Sequence, residues 1–76
     1  MSYLRFKTED LSASGITKRI SVKNTGNYLV GTISWHAAWR RYTFTSEPYF
    51  VLDHECLREI ANFLEKETRE HKERRA

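Results

Sequence analysis

Apolar and polar residues alternate along the first two thirds of the chain, then change period. Lys18–Lys23 places Ile20 and Val22 on one face and Arg19, Ser21 and Lys23 on the other, the period of two expected of a half-buried strand. Tyr28–Trp35 repeats the pattern: Leu29, Gly31, Ile33 and Trp35 share one face, and Tyr28, Val30, Thr32 and Ser34 the other. Arg40–Thr45 sets Tyr42 and Phe44 inward. Tyr3–Lys7, with Leu4 and Phe6 together, gives a further short strand. Asn24-Thr25-Gly26-Asn27 is the hairpin loop between the second and third strands, with Gly26 able to supply a positive φ. Gly31 marks either a bulge or a gap that a large neighbour fills. Asp10–Gly15 is a polar loop rich in Ser and Gly. Pro48 ends the fourth strand, because proline has no N–H to donate to a ladder. The apolar run Tyr49–Leu52 is a candidate edge strand.

From Asp53 the period becomes that of a helix. Asp53 is a good N-cap, and Glu55 suits the positive end of the helix dipole. Cys56, Leu57, Ile60, Ala61, Phe63 and Leu64 form one apolar stripe at i, i+3/i+4 spacing. Beyond Leu64 no apolar residue occurs before Ala76, but Glu65–Arg69, Lys66–Glu70 and Glu70–Arg74 have the spacing of intrahelical ion pairs. The expected tail is a solvated helix that projects past the sheet and frays toward Ala76. The predicted class is α+β, a small antiparallel sheet of three to four strands packed on one C-terminal helix. Residues 1–76 read as a single domain, with 1–52 the sheet part and 53–76 the helix.

A chain of 76 residues buries only about 60% of the surface its unfolded form exposes, so staples matter. The single cysteine, Cys56, excludes an internal disulfide and fits a reducing compartment. No Cys/His set has zinc spacing. Stability must then come from the aromatics, 13% of residues, or from assembly. No apolar run reaches a membrane-spanning length. Met1–Asp10 carries Arg5, Lys7, Glu9 and Asp10, which is unlike a secretory signal. Of the net charge of +3, the basic excess lies before residue 53, where seven Lys/Arg face three acids. Residues 53–76 carry six against seven, so the tail is not the one-signed arm of a nucleic-acid binder.

The least ordinary stretch is Trp35-His36-Ala37-Ala38-Trp39-Arg40-Arg41-Tyr42. It reads as a tight turn between two strands with neither Gly nor Pro, and it presents Ala, Ala and Trp where water-facing turn residues are usual. Trp35 belongs to the core by alternation. Trp39 either caps the core edge or stands in an interface. Trp and Arg dominate interface energetics, so Trp39 and Arg40 are the candidate partner-binding anchors, with His36 and Arg41 at the rim. The alternative site is the basic sheet face, where Arg19, Lys23 and Arg41 are candidate nucleic-acid contacts. Cys56 at a helix N-terminus near His54 invites a nucleophile reading. Its place on the apolar stripe favours a packing role. No paired carboxylates, phosphate loop or nucleophile elbow occurs. The chain is therefore expected to be no enzyme and to need no cofactor, metal or small-molecule substrate.

Gly31-x-Ile33-x-Trp35-x3-Trp39-Arg40-x-Tyr42-x-Phe44 followed by Cys56-Leu57-Arg58-Glu59-Ile60-Ala61-x-Phe63 resembles a group of short uncharacterised proteins encoded by tailed bacteriophages. These share a W-x3-W-R-x-Y-x-F hairpin and a C-L-x-x-I-x-x-F helix, and the match covers about residues 28–72. The resemblance implies a phage origin and a small α+β domain. It implies no activity. Together these readings predict a non-enzymatic protein-interaction module, a virion- or tail-associated accessory or a self-assembling protein, in the host cytoplasm or virion. The alternative is a small basic nucleic-acid-binding regulator.

Overall fold

In the computed structural model, which describes residues 3–11 and 17–75 with side chains through Glu73, the alternating segments form a four-stranded antiparallel meander. The strands are β1 (Leu4–Leu11), β2 (Lys18–Asn24), β3 (Leu29–His36) and β4 (Arg41–Ser46), in spatial order β1-β2-β3-β4. One helix, α1 (His54–Arg75), covers one face of the sheet and packs chiefly along β4. This is the expected α+β architecture. Leu4, Ile20, Val22, Val30, Ile33, Tyr42 and Ile60 are its buried core, joined by Phe6, Trp35, Phe44, Cys56, Phe63 and Leu64. Phe6 and Phe63 stack across the two layers with ring centroids 4.2 Å apart.

Several expectations need correction. β1 runs to Leu11, four residues beyond the predicted strand, so Asp10 and Leu11 are strand and not loop. The rest of the expected Ser/Gly loop, from Ser12, lies outside the described residues. The ladder breaks register between Thr8 and Asp10, which leaves Glu9 as the extra residue. A second irregularity lies between Val22 and Lys23. It pairs Lys23 with Leu29, so Leu29 turns to the outer face and Val30 joins the core, the reverse of strict alternation. The gap at Gly31 is a separate matter. An added Cβ there would lie 2.5 Å from both the Phe44 ring and the Thr45 carbonyl oxygen, so the Phe44 ring occupies the space over the glycine.

Tyr49–Leu52 adds no strand. Pro48 and Tyr49 form a turn in the connection to α1, with Tyr49 at φ 71°. A positive φ in the residue after Pro is what a type II turn demands, and Gly or Asn usually supplies it. On α1, Leu57 lies off the buried stripe and is half exposed. The charged second half of the helix does not project past the sheet. Glu67 and His71 are buried, and α1 runs through Arg75. Lys18 Nζ donates to Glu67 Oε1 at 2.8 Å, the Tyr42 backbone N–H donates to Thr68 Oγ1 at 3.0 Å, and His71 lies on Trp35. The Tyr42 hydroxyl accepts from the Lys18 backbone N–H at 3.1 Å. Positions 67, 68 and 71 continue the i, i+3/i+4 series begun by Cys56, Ile60 and Leu64. The stripe stays in place while its chemistry turns polar.

Candidate functional site

The turn that follows β3 is built from its own side chains and backbone. His36 pairs with Arg41 at the end of the β3–β4 ladder, leaving Ala37–Arg40 as a four-residue loop. The backbone N–H groups of Trp39 and Arg40 both donate to the His36 carbonyl, at 3.2 and 2.8 Å. Closing the loop puts Arg40 at φ 53°, a left-handed position that Gly or Asn would occupy at less cost. His36 does two further things. Its Nδ1 accepts from the Trp39 backbone N–H at 3.3 Å, and its ring stacks on the Trp39 indole with centroids 4.4 Å apart and planes 23° apart. The indole is nonetheless 62% exposed. Trp39 therefore does not cap the core: it stands in solvent, oriented by the imidazole beside it. Trp35, four residues earlier, packs with the core and meets Tyr42 edge-on at 5.3 Å.

Arg40 and Arg41 are both exposed beside Trp39, and Arg41 Nε donates to the Trp39 carbonyl at 3.3 Å. Arg41 also lines an open groove of about 680 Å³ between β4 and the second half of α1. The groove floor includes Tyr42, Ala61 and Leu64, and its walls carry Arg69 and Lys72 beside Glu65 and Glu73. The structure thus brings His36, Trp39, Arg40 and Arg41 together on one surface that continues into this groove.

The basic sheet face is assembled less fully. Arg19 and Lys23 border a shallow depression on the outer face, but Glu9 lies there with them. Arg19 Nη2 is within 2.9 Å of Asp10 Oδ2. The Ser21 hydroxyl donates to Glu9 Oε1 at 2.7 Å, and that hydrogen bond, with Lys7, Lys23 and Arg19 nearby, holds the Glu9 carboxyl below its ordinary range. Glu9 is therefore a fixed negative charge among the cations. Arg41 borders the groove along α1 and not this depression.

At the start of α1, Asp53 Oδ1 accepts from the Cys56 backbone N–H at 2.9 Å, which is N-cap geometry. That hydrogen bond holds the Asp53 carboxyl below its ordinary value. The Cys56 thiol moves the other way. Burial pushes its pKa up, and the hydrogen bond to Asp53 adds to the shift. A thiol kept protonated is the opposite of an activated nucleophile. Around this cap the sequence reading missed exposed apolar residues: Tyr3 and Val51, which border one depression with Cys56, and Tyr49 and Phe50, which precede Val51 in the chain. The signal was present: an apolar run directly after Pro48 that is too short to make a strand and a turn together.

No protein-family model, curated protein or solved structure matches the chain. Among the described residues no helix is long and apolar enough to cross a membrane.

Proposed function

We propose that the chain is a non-enzymatic, phage-encoded protein-interaction module, acting as a virion-associated accessory or by self-assembly, and that it docks through the 36–41 turn. The single observation that carries this reading is Trp39. Its indole is 62% exposed, yet it is held by stacking on His36 in a turn that tolerates a left-handed arginine. An ordinary surface turn gains nothing from an ordered exposed indole. An interface gains a rigid aromatic anchor with two guanidinium groups beside it. Open sheet edges are a weaker candidate. The β1 edge carries Arg5, Lys7 and the bulge at Glu9, devices that discourage strand addition. The β4 edge is partly covered, since the Tyr42 N–H is taken by Thr68. The basic-face alternative has less support, because Arg19 is already paired with Asp10 and the Glu9 carboxylate sits among its cations.

The test is fluorescence-detected sedimentation of the labelled chain in bacterial extract, wild type against Trp39→Ala. The wild type is expected to sediment faster than a free chain of 9.1 kDa. Trp39→Ala should weaken that association about five- to thirtyfold, as expected for loss of an anchor worth about 1–2 kcal/mol. Its amide spectrum should stay that of a folded protein. Complexes that ignore the substitution would remove the reading.

A further inference from the structure

The molecule exposes apolar surface at both ends, and the two ends carry opposite charge. At one end stand Trp39, Arg40 and Arg41. At the other, Tyr49, Phe50 and Val51 are three consecutive exposed apolar residues, with Tyr49 and Val51 at 102% and 96% exposure. Such a run has no place on a purely solvated connection. Val51 borders a depression of about 460 Å³ whose apolar lining also includes Tyr3 and Cys56. Its remaining lining is entirely acidic: Asp53, Glu55 and Glu59. The Cys56 N–H holds the Asp53 carboxyl below its ordinary value.

The ends are opposite by topology. The turn closes the β3–β4 ladder at His36↔Arg41, whereas the connection bearing Val51 leaves the ladder at Gly31↔Ser46. Five residues of strand separate these pairs, about 17 Å at 3.3 Å per residue. α1 begins beside the depression and runs toward the turn, reaching Tyr42 through Thr68 and Trp35 through His71. No copy can therefore place its own Trp39 in its own depression.

We infer that the occupant of this depression is the 36–41 turn of a second copy of the chain. Trp39 of one copy packs on Tyr3 and Val51 of the next, and Arg40 and Arg41 face Asp53, Glu55 and Glu59. This rests on the docking role of the turn and adds the partner. Charge complementarity selects it: the two guanidinium groups beside the indole meet a depression whose lining, apart from Tyr3, Val51 and Cys56, is acidic. The two surfaces are different and lie at opposite ends, so the contact either propagates head to tail from copy to copy or is made twice in an antiparallel pair. The patches are small, so a single contact is weak, and rim charges make it sensitive to salt.

Sedimentation of the purified full chain tests this, from about 10 μM to about 1 mM protein, at about 20 mM and about 500 mM salt. The wild type should associate as concentration rises and retreat toward monomer in high salt. Trp39→Ala removes the inserting residue. Val51→Arg blocks the depression at an exposed position that the fold does not use. Each variant alone should be monomeric. An equimolar mixture should form a one-to-one dimer and nothing larger, because one intact turn meets one intact depression. A monomeric wild type throughout, a Val51→Arg variant that associates like wild type, or a mixture that stays monomeric would each overturn the inference. Any of these results leaves the docking role of the turn standing. That role falls if complexes in extract ignore Trp39→Ala.

Discussion

The imidazole of His71 lies on the indole of Trp35, ring centroids 4.1 Å apart, and closes the sheet beneath a stretch of helix without one apolar residue. The first half of α1 is held by hydrophobic burial. The second half is held by a stacked imidazole, a threonine that accepts from a β4 N–H, and an ion pair whose carboxylate is buried. Aromatic geometry adds about 0.5–1.5 kcal/mol beyond burial for a contact of this kind. His71→Ala should therefore cost about 1–3 kcal/mol in urea unfolding. In a Trp39→Phe background it should also shift Trp35 emission to the red. A change under about 0.5 kcal/mol with unshifted emission would mean that the polar half of α1 is not docked.

The two leucine-like positions of the predicted stripe separate cleanly. Ile60 is buried at 3% exposure, and Leu57 is half exposed. Ile60→Ala should cost about 2–5 kcal/mol and Leu57→Ala less than about 1 kcal/mol, read from denaturant midpoints at constant m-value. Equal losses at both sites would place the helix in a different rotation.

The architecture was legible because period alone separates strands from helix. Ile20, Val22, Ile33, Tyr42 and Ile60 were all readable as core on that basis. The limits of legibility were physical. The reading treated burial as a property of apolar side chains, so it ended the stripe at Leu64. Glu67, Thr68 and His71 sit at the next helical positions, and each has a partner on the sheet that only the tertiary fold reveals. Leu29 and Val30 exchanged faces because one extra residue enters the ladder beside Lys23, and no local signal fixes where a bulge falls. At the candidate site, the absence of Gly and Pro marked the turn, and the exposed Trp39 agrees with its interface alternative. The acidic depression was not legible, since Tyr3 and Val51 lie 48 positions apart and only the fold brings them together.

Gly31 is the position where the sheet tolerates no side chain. A Cβ would meet the Phe44 ring and the Thr45 carbonyl oxygen, both at 2.5 Å. Gly31→Ala should destabilise by at least about 1–3 kcal/mol through forced repacking. Adding Phe44→Leu should recover part of the loss but not all of it, because the backbone oxygen stays. Thermal unfolding of the single and double variants checks this. Full recovery would mean that the ring alone sets the constraint.

Asp53 supplies a pH-dependent test of the helix cap. Its folded pKa is depressed by the Cys56 N–H, so its contribution is present above the ordinary carboxylate value near 4. That contribution is lost as pH falls through the lower folded value. Asp53→Ala should lower Tm by a few degrees at about pH 7. The gap between variant and wild type should narrow steadily below about pH 4. A gap independent of pH would show that the carboxylate is not the capping group.

The central claim is that the 36–41 turn is the docking surface, and site-specific photo-crosslinking tests it most directly. A photoreactive phenylalanine replaces Trp39 in one sample and the exposed Lys66 of α1 in another, and both proteins are irradiated at the same concentration, purified and in bacterial extract. Adducts are expected from position 39 and not from position 66. Adducts of two copies should map from position 39 to Tyr3, Val51 or the start of α1. Equal yields from both positions, or none from position 39 while assembly persists, would contradict the claim and move the contact elsewhere on the molecule.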